Sequence, residues 1–249
     1  MKMKNYWLHS LFGLVLLTLV ACGGASEQTT EAEDTPDETT SADADGFVNM
    51  LKGDTKEGWT QLNGQATYEI EDGVVIGTTK EGEPNSFLAT EKMYDDFILE
   101  YEVLVDTALN SGVQIRSHQY DKDSVFMTQN SEGEMVERKR EKGRVHGYQV
   151  EIDPSPRSYS GGIYDEARRG WLQDLSENEA AQQAFKRDDW NKFRVEAMGD
   201  TIRTYVNGVQ AVEVIDDMDP SGFIALQVHS SRSEEPLQVR WRNIRIKEM

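Results

Sequence analysis

From Phe47 onward the sequence predicts an all-β fold in which two antiparallel sheets pack as a sandwich or jelly roll. Three observations carry this. Apolar residues recur at every second position, turn dipeptides separate such runs, and strands do not alternate with helices. Phe97, Leu99, Tyr101, Val103 and Val105 alternate with Ile98, Glu100, Glu102 and Leu104. Phe193, Val195 and Ala197 alternate with Arg194 and Glu196, and Ile224, Leu226 and Val228 alternate with Ala225, Gln227 and His229. That is the pattern of half-buried strands. Asp72-Gly73 and Asn207-Gly208 lie between apolar runs and suit two-residue hairpin turns, which need positive φ. Leu237, Val239 and Trp241 share one parity and Ile244 and Ile246 the other, so a bulge is expected near Arg242-Asn243. One short helix is expected after Ser176, where Ser176 and Glu179 have capping-box spacing. Residues 121–144, with Arg138, Lys139, Arg140, Lys142 and Arg144, read as a long solvated loop or, more sharply, as a rim that meets an acidic partner. Trp59, Trp190 and Trp241 are expected in the core, and His118 and His146 on the surface or in loops.

The N-terminus reads as a different kind of chain. Lys2 and Lys4 precede an apolar run, Leu11–Ala21, too short to span a bilayer well but suited to a secretory signal. It ends in Leu19-Val20-Ala21-Cys22, which resembles the cleavage site of bacterial lipoproteins. That resemblance implies that residues 1–21 are removed and that Cys22, the only cysteine, is acylated and anchors the chain. From Gly23 to Asp45 there is no aromatic residue and no lysine or arginine, while eight carboxylates are spaced by Ser, Thr and Ala. Such a segment cannot offset its ordering entropy, so residues 22–45 are expected to form a disordered tether and 46–249 the folded domain. The expected location is the cell envelope, on its periplasmic or outer side. A formal charge of −19 across 249 residues argues against nucleic acid as a partner.

Chemistry is expected where alternation puts polar side chains along one strand face. In Asn110-Ser111-Gly112-Val113-Gln114-Ile115-Arg116, Gln114 and Arg116 oppose the apolar set. In Gly147-Tyr148-Gln149-Val150-Glu151-Ile152-Asp153, Gln149, Glu151 and Asp153 do so, and Gln227 and His229 follow the same rule. If these strands are neighbours, Arg116, Glu151, Asp153 and His229 share one surface. Two carboxylates two residues apart lie about 7 Å apart and can titrate apart, one holding a proton while the other acts as base. Arg116 would bind an oxyanion and His229 would move a proton. An ordinary solvated sheet face, paired across strands, fits the same pattern equally well. A divalent metal such as calcium or zinc on the two carboxylates and His229 is a further reading, although no ligand spacing demands one. Tyr164 and Trp171, in a glycine-rich stretch, suit stacking on a sugar or plugging the end of the sandwich.

These residues also carry a resemblance. Gly58-Trp59, Glu71-Asp72-Gly73-Val74 and Tyr94-Asp95-Asp96-Phe97-Ile98-Leu99 are similar to the 3-keto-disaccharide hydrolase domain family, formerly a domain of unknown function. So are the two segments around Gln114 and Gln149, Trp190-Asn191, Asn207-Gly208, the run Gly222–His229, and Arg242-Asn243-Ile244-Arg245-Ile246. The family is common in secreted proteins and lipoproteins of Bacteroidota. The resemblance implies a concanavalin-like jelly roll and cleavage of glycosides already oxidised to a ketone at C3; the sequence itself requires no cofactor. The resemblance also implies a carbohydrate substrate and a partner oxidoreductase that makes the ketone. On geometry, Glu151 or Asp153 would be the base, Arg116 the stabiliser and His229 the proton donor. Gln114, Gln149, Gln227, Tyr164 and Trp171 would contact the sugar. A noncatalytic carbohydrate-binding lipoprotein is the competing expectation.

Overall fold

The computed structural model describes residues 42–129 and 134–249. The expected signal sequence, Cys22 and all but the last residues of the tether lie outside them. The chain opens with β1 (Val48–Asn49), β2 (Trp59–Asn63), β3 (Thr67–Glu71), β4 (Val74–Thr78), β5 (Ser86–Thr90) and β6 (Phe97–Val105). There follow β7 (Ser111–Gln119), β8 (Ser124–Gln129), β9 (Met135–Arg140), β10 (Val145–Ile152), β11 (Ile163–Glu166) and β12 (Gly170–Gln173). After a helix, α1 (Glu179–Ala184), come β13 (Asn191–Met198), β14 (Thr201–Val206), β15 (Val209–Ile215), β16 (Phe223–Val228) and β17 (Gln238–Glu248).

The strands form two large antiparallel sheets, as the alternation predicts. One has the order β15-β14-β13-β6-β17-β4-β3, with β1 added on β17, and the other β12-β11-β10-β7-β16-β5-β2. Strands distant in sequence are neighbours in both, so much of the pairing is non-local. The core lies between the sheets. Phe97, Leu99, Val103 and Phe193 from the first meet Val113, Val150, Ile152 and Leu226 from the second, all fully buried. Each such side chain contributes roughly 1.5–3 kcal/mol by leaving water. Asp72 and Asn207 have φ of 50° and 49°, as their hairpin turns require. The bulge at Arg242-Asn243 is present: the β17–β6 register shifts between Arg242 and Arg245.

Four expectations are corrected. Residues 121–144 are not a plain loop: β8 and β9 pair with each other alone and form a two-stranded arm. The helix is capped by Asn178, whose side chain accepts from Ala181 N at 3.1 Å, because Ser176 is already turned toward Asp174. Trp190 is only half-buried and is covered on its ring by Arg242 at 4.0 Å, whereas Trp59 and Trp241 are core residues. His118 and His146 lie opposite each other on β7 and β10, where His146 stacks on Tyr120 at 4.1 Å.

Candidate active site

Simple alternation fails at one residue of β7. Ile115 opposes Tyr148 and His118 opposes His146, so Gly147 alone spans Arg116 and Ser117. On the other side Gln114 opposes Ala225 and Ser117 opposes Phe223, so Ile224 spans Ile115 and Arg116. This is a β-bulge, with Arg116 at φ 44°. The extra residue reverses parity, and Ser117, not Arg116, joins Gln114, donating to its Oε1 at 2.8 Å. A Cβ on Gly147 would lie 2.4 Å from Ser117 Oγ, and one on Gly222 2.2 Å from the Arg116 carbonyl carbon. Glycine at both positions lets the neighbouring backbone close over the bulge.

Arg116 is therefore not part of the polar surface expected from the sequence. It is fully buried and donates to Asp95 O at 2.7 Å, Gly199 O at 2.6 Å and Asp96 Oδ1 at 2.8 Å. It ties the seven-stranded sheet to the approach to β6 and to the β13–β14 turn.

The remaining expected residues do share one face. β10, β7 and β16 are consecutive in the seven-stranded sheet, and the side turned away from the core carries Gln114, Gln149 and Gln227. Gln149 Oε1 accepts from Gln114 Nε2 at 2.6 Å and from Gln227 Nε2 at 2.7 Å. Both donors fix the orientation of the Gln149 amide, so its own Nε2 points to Glu151 Oε2, 2.9 Å away. Gly112 makes the room, since a Cβ there would stand 2.5 Å from the Gln149 side chain. Gln114 and Gln227 are fully buried beneath Gln149. They form the site's floor and, unlike the other residues expected to meet a sugar, are not among the residues that line the cleft above it.

Above this floor opens a cleft of about 500 Å³. Gln149, Glu151, Asp153, Tyr164, Trp171 and His229 all line it, as expected, together with Asn110, Ser155, Arg157 and Glu166, which alternation did not reveal. Glu151 is 4% exposed. Burial pushes its carboxyl up to about 7, against the lowering effect of Asn110 and Gln149, while the charge of Asp153 adds to the rise. Asn110 Nδ2 donates to Glu151 Oε1 at 2.7 Å.

Asp153 has the opposite fate. Burial works against its charge, but donors from Ser155 and Arg157 outweigh it and hold the carboxyl below the usual range. Arg157 Nε lies 2.8 Å from Asp153 Oδ2, and Nη2 lies 3.8 Å from Glu151 Oε1. The same guanidinium stands over Tyr159 at 5.0 Å and Trp171 at 5.4 Å. Trp171 meets Tyr159 and Tyr164 edge-on, at 5.5 and 5.3 Å. His229, just past β16, has Nδ1 2.9 Å from Ser230 O. With Nδ1–H donating to that carbonyl, Nε2 is the nitrogen left for a ligand. Glu166 pairs with Arg144. Among the described residues no group of three or more His, Cys, Asp or Glu side chains is arranged to hold a metal ion. The cation at the two carboxylates is Arg157.

A protonated-or-charged glutamate near neutrality, an ionised aspartate, an arginine, a histidine and an aromatic wall are the components of acid/base work on a sugar-sized molecule. Similar solved structures have the same architecture at low identity. A putative glycosyl hydrolase from Parabacteroides distasonis ATCC 8503 is 15% identical, with a TM-score of 0.52 over 83% of this chain and 95% of its own. The carbohydrate-binding module CBM66 from Bacillus subtilis is 15% identical, with a TM-score of 0.50 over 77% and 96%. A Bacillus subtilis protein of unknown function with a galectin-like fold is 9% identical, with a TM-score of 0.52 over 77% and 90%. These likenesses speak for the fold. No curated protein matches the chain in sequence. The model of the 3-keto-alpha-glucoside-1,2-lyase-like domain matches residues 46–247, and the chain belongs to that family.

Proposed function

We propose that the cleft cleaves 3-keto-glycosides by removing the proton at C2, with Glu151 as the base. The observation that carries this is the Glu151 carboxyl, buried, oriented by two amide donors and raised to about 7, where a carboxylate is basic enough to take an acidified C–H proton at neutral pH. The C3 ketone makes the C2 proton acidic. Its removal leaves an enediolate whose charge rests on O3. The enediolate electrons then expel the C1 oxygen, which takes a proton, giving an unsaturated 3-keto sugar and a free alcohol. Water adding across the new double bond would complete a net hydrolysis.

Arg157 takes the role first expected of Arg116. It reaches both acids, is half-exposed to the cleft, and is placed to stabilise the O3 oxyanion. Asp153 keeps Arg157 oriented. His229, as the imidazolium with Nδ1–H held by the Ser230 carbonyl, donates its Nε2 proton to the leaving oxygen and is left neutral. Tyr164 and Trp171 contact the apolar edge of the sugar. A divalent metal remains a reading to test by chelation. The test of the reaction is incubation of the protein with a 3-keto-disaccharide in heavy water. Deuterium at C2 or released alcohol is expected, and tight binding with neither would overturn it.

That last outcome would support a second reading, a carbohydrate-binding lipoprotein. The cluster of Tyr159, Tyr164 and Trp171 beside polar groups is what favours it. Under either reading we place the chain at the cell envelope, anchored through an acylated Cys22, with an oxidoreductase supplying the 3-keto sugar to the catalytic form. Radiolabelled fatty acid incorporation lost on Cys22→Ser checks the anchor.

A further inference from the structure

Trp171 belongs to two cavities. It lines the 500 Å³ cleft beside Glu151 and also a neighbouring cleft of about 280 Å³ formed with Leu172, Gln173, Asp174, Ser176 and Glu177. β12, which carries Trp171, is the edge strand of its sheet, so the second cleft wraps around that edge. Resting on the proposed lyase reading, we propose that this second cleft is the subsite for the group that leaves from C1, and that it takes a neutral, hydroxyl-rich sugar ring.

Elimination expels a whole C1 substituent, which has to be seated beside the reacting ring. Trp171 is a wall common to both, so a ligand long enough to fill the first passes it into the second. The chemistry of the second cleft then selects the occupant. Leu172 is half-buried and offers an apolar surface. Asp174 Oδ1 accepts from Ser176 N at 2.8 Å and from Ser176 Oγ at 2.6 Å, which fixes the carboxylate at the cleft. Gln173 and Glu177 are exposed beside it. Two carboxylates and an amide with no lysine or arginine in the lining accept hydrogen bonds from hydroxyls. They repel a uronate or a sulfate ester. An apolar strip flanked by acceptors is the complement of a pyranose, which has apolar C–H faces and hydroxyl edges.

The test compares a 3-keto-disaccharide with a methyl 3-keto-glucoside, whose leaving group is too small to reach the second cleft. Ser176→Trp fills that cleft from outside the proposed catalytic residues. It is expected to raise KM about tenfold for the disaccharide, the scale of one lost stacking contact, and to leave the methyl glycoside unchanged. Glu177→Lys is expected to bring a uronate-linked disaccharide toward the neutral one in kcat/KM. An equal change for both neutral substrates, or no preference for the disaccharide in the unaltered protein, would overturn the subsite while leaving the reaction standing. If neither substrate is turned over, the reaction reading fails. Calorimetric binding of an unoxidised disaccharide against its methyl monoglycoside then decides the subsite by itself. A preference for the disaccharide that Ser176→Trp abolishes supports it, and no preference overturns it.

Discussion

Two glutamates on the outer faces of the two sheets show how neighbours divide one residue type between stability and chemistry. Glu100 stands in the middle of β6 and Glu151 near the end of β10. Both are nearly buried, 6% and 4% exposed. Glu100 is met by Arg194 at 2.9 Å, Arg245 at 2.7 Å and Lys192 at 3.1 Å. Burial works against its charge, yet these cations bring its carboxyl down to about 2. Glu151 is met by two neutral amides, with Arg157 no nearer than 3.8 Å, and burial prevails, raising it to about 7. A buried carboxylate saturated with cations is locked in one charge state and can only hold strands together. One held by neutral donors keeps a proton within reach.

The comparison breaks most sharply at Glu151→Gln. Removing a general base is expected to lower kcat about 10²- to 10⁴-fold on a 3-keto-disaccharide. Glu100→Gln is expected to leave kcat unchanged, because Glu100 lies on the other sheet. Steady-state kinetics of both variants side by side checks this, and a comparable loss in both would show that fold, not chemistry, is being read.

Stability should reverse the order. Moving a buried carboxyl from 4.5 to about 2 corresponds to about 3 kcal/mol. Because the folded value is depressed, this contribution is present above about pH 4.5 and fades as pH falls toward 2. Glu100→Gln is thus expected to cost about 2–3 kcal/mol at pH 7, with the three cations, which are a third to a half exposed, partly re-solvating. Denaturant midpoints at pH 7 and pH 3 measure it, and the gap between variant and parent should narrow at pH 3.

Glu151 carries the opposite linkage. Its folded value is raised, so folding binds a proton more readily than the unfolded chain does. The parent therefore loses stability as pH rises from about 4.5 through 7, by about 3 kcal/mol once above 7. Glu151→Gln removes that cost but faces one amide donor with another, a loss of about 1 kcal/mol. A net gain of about 2 kcal/mol at pH 8 that turns into a net loss of about 1 kcal/mol at pH 4 is expected from denaturation at the two pH values. An inactive variant more stable than its parent would be the signature of a strained functional group.

The contrast also marks how far residues alone reveal structure. Period-two alternation was enough for the sandwich, for the Asp72 and Asn207 turns and for the bulge at Arg242-Asn243. It put Gln149, Glu151 and Asp153 on the right face, because parity within one strand is local. It failed at Arg116 because one extra residue in β7 reverses parity, and the signal for that, two glycines at 147 and 222, lies on strands whose adjacency is not local. It could not tell Glu100 from Glu151, since both are glutamates alternating with apolar residues. The difference lies in β13 and β17 beside one, and in β7 and β11 beside the other. Arg157 was out of reach because it enters the cleft from a loop, where no period applies. Asn110 stood within the motif that carried the family resemblance but just before its strand, so alternation assigned it no face.

Asn110 gives the smallest and most specific effect. Its Nδ2 is the donor that does most to lower the Glu151 carboxyl, opposing burial. Asn110→Ala removes that donor without adding charge or filling the cleft. Glu151 should then titrate higher, and the rising limb of kcat/KM against pH should move above 7. Glu100 offers the control, since weakening one of its cations by Lys192→Gln should leave that limb in place. A pH profile for Asn110→Ala that falls in height without moving along the pH axis would mean that Asn110 positions the sugar and that another group is the base.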